Sequence, residues 1–204
     1  MTRIIITIIL LVQFVVTITS AQSNTRNERT GQQNGPYSTE SHVDRLNSTI
    51  FEQWANGNFS DSVIHEARQV LEIAREVEYK MGEADALTNL VRLSLLQYES
   101  SISLEYALSA IKLYEELGET ENTGYNLMQI GVIYYTSQNL EKSQEYYDKA
   151  IEVFTSLQNE EKLATLYYLS GLNNTELGNF RVALEQLWNA YRYKEALNNT
   201  QGMA

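Results

Sequence analysis

Past Val43 the apolar residues recur three and four positions apart without a proline to interrupt them, the spacing of helices that bury one face. The pattern itself repeats. Ser103, Ser143 and Ala183 fall 40 residues apart, as do Ala110, Ala150 and Ala190, and Leu117, Leu157 and Leu197. Leu87, Leu127 and Tyr167 form an apolar column on an earlier helix, and Val91, Gly131 and Gly171 a second one, small in two copies. A fourth, weaker copy precedes these. It is expected to place Ala55 in the small column and Ala67 and Ala74 seven residues apart, with the spacing to the next copy shortened to 36.

Each copy predicts two helices joined by a short polar turn, such as 136–139 or 176–179, where Gly178 is suited to the positive φ of a helix end. A glycine inside a helix costs roughly 1 kcal/mol against alanine. Gly131 and Gly171 are therefore expected where a partner helix approaches closely, with Ala150 and Ala190 on the other side of the contact.

Ahead of the repeats the pattern is different. Met1-Thr2-Arg3 supplies a positive charge, an apolar stretch runs over 4–18, and Thr19-Ser20-Ala21 places small residues before Gln22, the layout of a cleaved secretory signal over 1–21. The stretch is shorter than the about 20 residues that span a bilayer. Residues 22–42 are rich in Asn, Gln, Ser, Thr and Gly and read as a disordered linker. The repeat domain is expected over 43–204, in about three to four copies, with 200–204 opening a further first helix.

Composition agrees with helices: a single proline, 10 glycines and 14 tyrosines in 204 residues leave too few breakers for a many-stranded protein. The net charge of −11 repels phosphate backbones, so nucleic acid is not an expected partner. With no cysteine, stability comes from packing and thiolate metal sites are excluded.

Candidate chemistry is sparse. His65-Glu66 opens the pattern of a zinc-protease motif, but Gln69 stands where the second histidine is required, and His42 lies in the linker. Glu115-Glu116 and Glu160-Glu161 read as carboxylates at helix ends. No histidine is placed to activate a serine, and the glycines over 31–35 and 118–124 lack the Lys-Ser/Thr of a phosphate loop and read as linker and turn glycines. No catalytic residue, cofactor or metal is expected.

Gly131, Tyr134, Ser143, Tyr147 and Ala150, with Gly171, Ala183 and Ala190, resemble the tetratricopeptide repeat, from about Val43 onward. The period of 40 exceeds the usual 34 and resembles the longer-helix variant found in bacterial signalling proteins. The resemblance implies an all-α fold, an α-solenoid of stacked antiparallel helix pairs with a right-handed superhelix. It also implies a concave groove lined by Asp85, Tyr125 and Thr165; Thr88, Met128 and Tyr168; Arg92, Val132 and Leu172; and Leu95, Tyr135 and Thr175. Tyr134 and Tyr147 are expected in the core.

The function so implied is non-catalytic binding of a protein or peptide in the groove, as the extracytoplasmic sensory region of a bacterial sensor kinase or membrane-bound regulator. A homodimer is a further option. Membrane attachment is expected only through the signal or a downstream transmembrane helix. The alternatives are a self-contained exported scaffold, and a substrate-recruiting region of an enzyme whose catalytic domain lies beyond residue 204.

Overall fold

The structure is a computed structural model that describes residues 38–97 and 100–201; the signal and most of the linker expected from the sequence lie outside these residues. Among the described residues eight helices follow one another: α1 (Thr39–Ala55), α2 (Asp61–Glu76), α3 (Lys80–Leu96), α4 (Ser100–Leu117), α5 (Thr120–Thr136), α6 (Leu140–Ser156), α7 (Glu160–Glu176) and α8 (Phe180–Gln201). Among the described residues there is no strand, and no helix is long and apolar enough to cross a membrane. The fold is all-α, built of antiparallel helix pairs.

Local chemistry sets the ends of these helices. Ser38 accepts a hydrogen bond from the Ser41 amide, so α1 starts at Thr39, within the segment expected to be linker. Asn139 and Asn159 cap α6 and α7 in the same way, on Lys142 and Lys162. The left-handed backbone that closes the turns falls on Gly57, Gly118 and Gly178, as the sequence suggested for Gly178, and on Glu78, Gln138 and Gln158. Gly118 takes φ 73° without strain, whereas the Glu78 and Gln158 side chains at the equivalent turns carry a cost.

The chain divides into two units, one up to Asn89 and one from Leu90. In the first, Val43, Ile50 and Trp54 of α1 are buried, as are Val63, Ala67, Val70 and Ala74 of α2. Asn47 donates to the Gly82 carbonyl at 2.9 Å, and Asn89 donates to the Asn47 carbonyl at 3.0 Å. The Tyr79 hydroxyl donates to Asp44 at 3.0 Å, and burial, with the Asp44 charge next, pushes its pKa up.

The register of this first copy differs from expectation. The burial pattern of α2 recurs 40 residues on in α4, with Val63, Ala67 and Val70 matching Ser103, Ala107 and Ala110. Ala55 is the last residue of α1, the place of Thr136 in α5, and not in the column of Gly131. The spacing of 36 is thus corrected: the pair Ala67 and Ala74 imitates Ser103 and Ala110, but larger residues, Val63 and Val70, fill those places here.

In the second unit Val91, Ala107, Ile111, Ile130 and Ile133 form a core cluster, with Tyr134 packed against it. Tyr147 is fully buried and Tyr134 half-buried. A Cβ on Gly131 would stand 2.5 Å from two atoms of the Tyr147 ring, and one on Gly171 would stand 2.7 Å from Leu187 Cγ. The Ser143 hydroxyl donates to the Gly131 carbonyl at 2.9 Å, and Ala150 is fully buried. These glycines permit close helix contact, as the sequence implied, but the side chains nearest them are Tyr147 and Leu187 and not the expected Ala150 and Ala190. Gly124 does likewise: it lies inside α5 with Val153 and Phe154 where its Cβ would be, so it is a packing glycine and not the turn glycine expected.

Between α6 and α7 the contact is polar. Gln144 donates to Ser170 at 2.6 Å and accepts from Asn173 and Asn174 at 3.1 and 2.7 Å. Phe180, Leu184, Trp188 and Tyr191 of α8, in the register of Leu140, Gln144, Asp148 and Ile151, are exposed. Helix α8 runs on to Gln201, through the register position at which α6 turns. No new helix begins at 200.

Candidate functional site

The residues expected to line a groove lie on the first helix of each pair. Asp85 and Thr88 belong to the first unit; Asp85 is half-buried, and Thr88 is buried with its hydroxyl donating to the Ala84 carbonyl of its own helix at 3.0 Å. The others belong to the second unit, on α3, α5 and α7, and there the structure brings most of them together.

One end of this face is cationic. Tyr125 is 5% exposed, and its hydroxyl oxygen accepts from Arg92 Nε at 3.0 Å and from Gln129 Nε2 at 2.9 Å. The Arg92 guanidinium carbon lies 4.8 Å from the Tyr125 ring centre and Lys162 Nζ 6.0 Å from it, so two cations approach one ring. Lys162 is 3% exposed. Burial lowers the pKa of its ammonium and the nearby Arg92 charge lowers it further, while Glu161 and Glu121 oppose the shift. The Glu121 carboxylate is engaged by Asn159 Nδ2 at 3.2 Å.

The other end is phenolic. Tyr135 and Tyr168 are half-buried, and burial raises the Tyr135 pKa, helped by Glu176 and Tyr168. Ten residues separate Tyr125 from Tyr135 on α5, about 15 Å at 1.5 Å per residue. That length matches four or five residues of extended peptide at about 3.3 Å each.

Not all the expected lining is on the surface. Met128 and Thr165 are 2% exposed, and the Thr165 hydroxyl is spent on the Glu161 carbonyl at 3.2 Å. Val132, Leu172 and Leu95 are half-buried and Thr175 is exposed. Sequence reasoning missed Gln129 and Lys162. Gln129 follows Tyr125 by four positions and Lys162 precedes Thr165 by three, so each shares a helix face with a residue that was named.

Among the described residues no group of three or more His, Asp or Glu side chains is placed to hold a metal ion, and His42 and His65 are exposed. The Glu115-Glu116 pair ends α4 and Glu160-Glu161 opens α7. The face of α3, α5 and α7 carries aromatic rings, amide groups and two cations, Lys162 buried and Arg92 half-buried.

Comparison with known proteins follows the fold. Residues 121–198 match the tetratricopeptide repeat family, and no curated protein matches the sequence. Aspartyl phosphate phosphatase F from Bacillus subtilis has a similar structure, with a TM-score of 0.73 at 18% identity over 79% of this chain and 42% of that one. A signal transduction ATPase with a tetratricopeptide repeat sensor from Pyrococcus horikoshii gives 0.70 at 17% identity, over 81% of this chain and 26% of that one. Repeats of a putative kinesin light chain from Podosopora anserina give 0.60 at 12% identity, over 91% and 85%. The chain thus spans less than half the length of the first two. At these identities the likeness is one of fold: residues 121–198 match the tetratricopeptide repeat family, and the chain folds as the helix pairs of tetratricopeptide-like proteins.

Proposed function

We propose that the chain is a peptide- or protein-binding module, with the face of α3, α5 and α7 between Arg92 and Tyr168 as its binding surface. The observation that carries this reading is the pairing of a cationic end at Arg92, Tyr125 and Lys162 with a phenolic end at Tyr135 and Tyr168, at the span of a short extended peptide. Tyrosines give contact area at low entropic cost. We place the module on the outer side of a membrane as the sensory part of a larger signalling protein. Support comes from the signal-like residues 1–21 and from the similar fold of the Pyrococcus horikoshii repeat sensor.

Selection of binders from a displayed library of random peptides tests the binding reading, with Tyr168→Ala as the control. Selected peptides are expected to lose about tenfold or more in affinity for the variant, the size of a moderate hot spot of roughly 1.4 kcal/mol or more. Peptides indifferent to Tyr168→Ala and to Arg92→Ala would place binding elsewhere. A reporter active only outside the cytoplasm, fused after Ala204, tests the location, with a mature N-terminus at Gln22 as the expected product. An inactive reporter with Met1 retained would rule the location out.

A further inference from the structure

We infer that the outer face of α8 is the surface on which a second copy of this chain docks, the two α8 helices packing antiparallel about a two-fold axis near Trp188. The inference does not rest on the peptide-binding reading, because none of the groove residues lies on α8.

The face is identified by its counterpart in α6. There the Leu140 carbonyl accepts from Asn173 at 2.9 Å and the Gln144 side chain meets Asn173 and Asn174, so α7 covers this register. Forty residues on, Phe180, Leu184, Trp188 and Tyr191 are 69%, 72%, 60% and 55% exposed. Leu184 and Trp188 stand where α6 has the polar Gln144 and Asp148, so the face is more apolar where it is uncovered than where it is covered. Spacings of four, four and three residues keep the four side chains on one stripe. Helix α8 also runs on through Leu197, the counterpart of the Leu157 that ends α6, so the chain does not turn back over the stripe at that point.

Area and charge select the partner. At about 150–250 Å² for each aromatic side chain, the exposures leave an apolar patch of about 500 Å². Patches of that size mark interaction sites. A symmetric pair would bury about 1,000 Å² in total, the threshold of specific association, so a weak and reversible dimer is expected. The chain carries −11, and like charge keeps copies apart over most of their surface. Among the described helices α8 is the exception: Arg181, Arg192 and Lys194 outnumber Glu185 and Glu195. A two-fold axis at Trp188 sets Arg181 opposite Glu195 of the second copy, and symmetry supplies the reverse pair. An anionic lipid surface would meet the same three cations but also the charge of the whole chain, which disfavours it.

The test is sedimentation equilibrium of the whole chain from about 1 μM to about 1 mM, the range of weak complexes. Acrylamide quenching of tryptophan emission accompanies it. The chain has two tryptophans and Trp54 is buried, so quenching reports on Trp188. A monomer at the low end and a dimer at the high end are expected, with Trp188 shielded as the dimer forms. Trp188→Glu is expected to stay monomeric throughout with an unchanged circular dichroism spectrum. Arg181→Glu and Glu195→Arg should each weaken the dimer about fivefold, and the double variant should recover it. No dimer in this range, a dimer that survives Trp188→Glu, species larger than a dimer, or a double variant that recovers nothing would overturn the inference. So would shielding of Trp188 at every concentration, which would mean that another segment of the chain covers α8. Trp188-dependent binding of a monomer to vesicles of phosphatidylglycerol would replace the second copy with a membrane. Peptide selection on the groove needs no dimer, so the two experiments fail independently.

Discussion

The contact of α5 with α6 and that of α7 with α8 occupy the same register and are closed in different ways. At the first, Gly131 faces the fully buried Tyr147 ring, and Ser143 donates to the Gly131 carbonyl. At the second, Gly171 faces Leu187, a half-buried side chain with rotamers to spare, and Asn174 reaches Gln186 at 2.9 Å. A shared glycine column thus records only that helices approach. How tightly the joint is specified depends on what the partner helix presents.

The sharpest test is Gly131→Ala. Its Cβ would meet a ring that has nowhere to go, so a net loss of about 2 kcal/mol is expected after the helix-propensity gain of about 1. A calorimetric scan should show the melting temperature lower by roughly 4–8 °C. An unchanged scan would mean that the Tyr147 joint is not tight.

Next in size is the alkaline response of the same joint. Burial raises the Tyr147 pKa above its unfolded value of about 10. The folded state therefore holds the phenolic proton more tightly, and the stability so gained is complete below pH about 10 and lost as pH rises beyond it. In denaturant titrations above pH 10, Tyr147→Phe should reduce the loss by up to about 1.4 kcal/mol per pH unit. Part of the slope should remain, since Tyr79, Tyr135 and Tyr167 are raised as well.

Gly171→Ala should cost less, between about 0 and 1 kcal/mol, because Leu187 can yield and the helix gains from alanine. A loss equal to that of Gly131→Ala would erase the contrast between the joints. The smallest effect is expected on the outer side of α8. Trp188 is 60% exposed and stacks on Tyr191 at 5.4 Å, so Trp188→Glu should alter the denaturation midpoint by no more than about 0.5 kcal/mol.

Much of the fold was legible because it is periodic. The columns through Ser143, Ala150 and Gly131 carry one constraint repeated at fixed spacing, and the structure places them at helix contacts. Where one copy solved the constraint with different residues, the reading slipped: Val63 and Val70 hid the register of α2, and Ala67 and Ala74 supplied a false one. Gly124 was taken for a turn because Gly118 lies nearby, yet its neighbours are Val153 and Phe154, about thirty residues away. The site was less legible for the same reason. Aromatic spacing marks a face, but whether Tyr125 lies open or covered is decided by Arg92 and Lys162 on other helices, and one helix's pattern does not contain them.

The order of contacts has a kinetic consequence. In the unit from Leu90, each helix seals its core against the helix that follows it, as α5 does with α6 and α6 with α7. No distant strand must be found, so loop closures are short, and proteins of such low contact order cross their folding barrier quickly. Folding can then advance as a front along the chain, each finished pair serving as the template for the next.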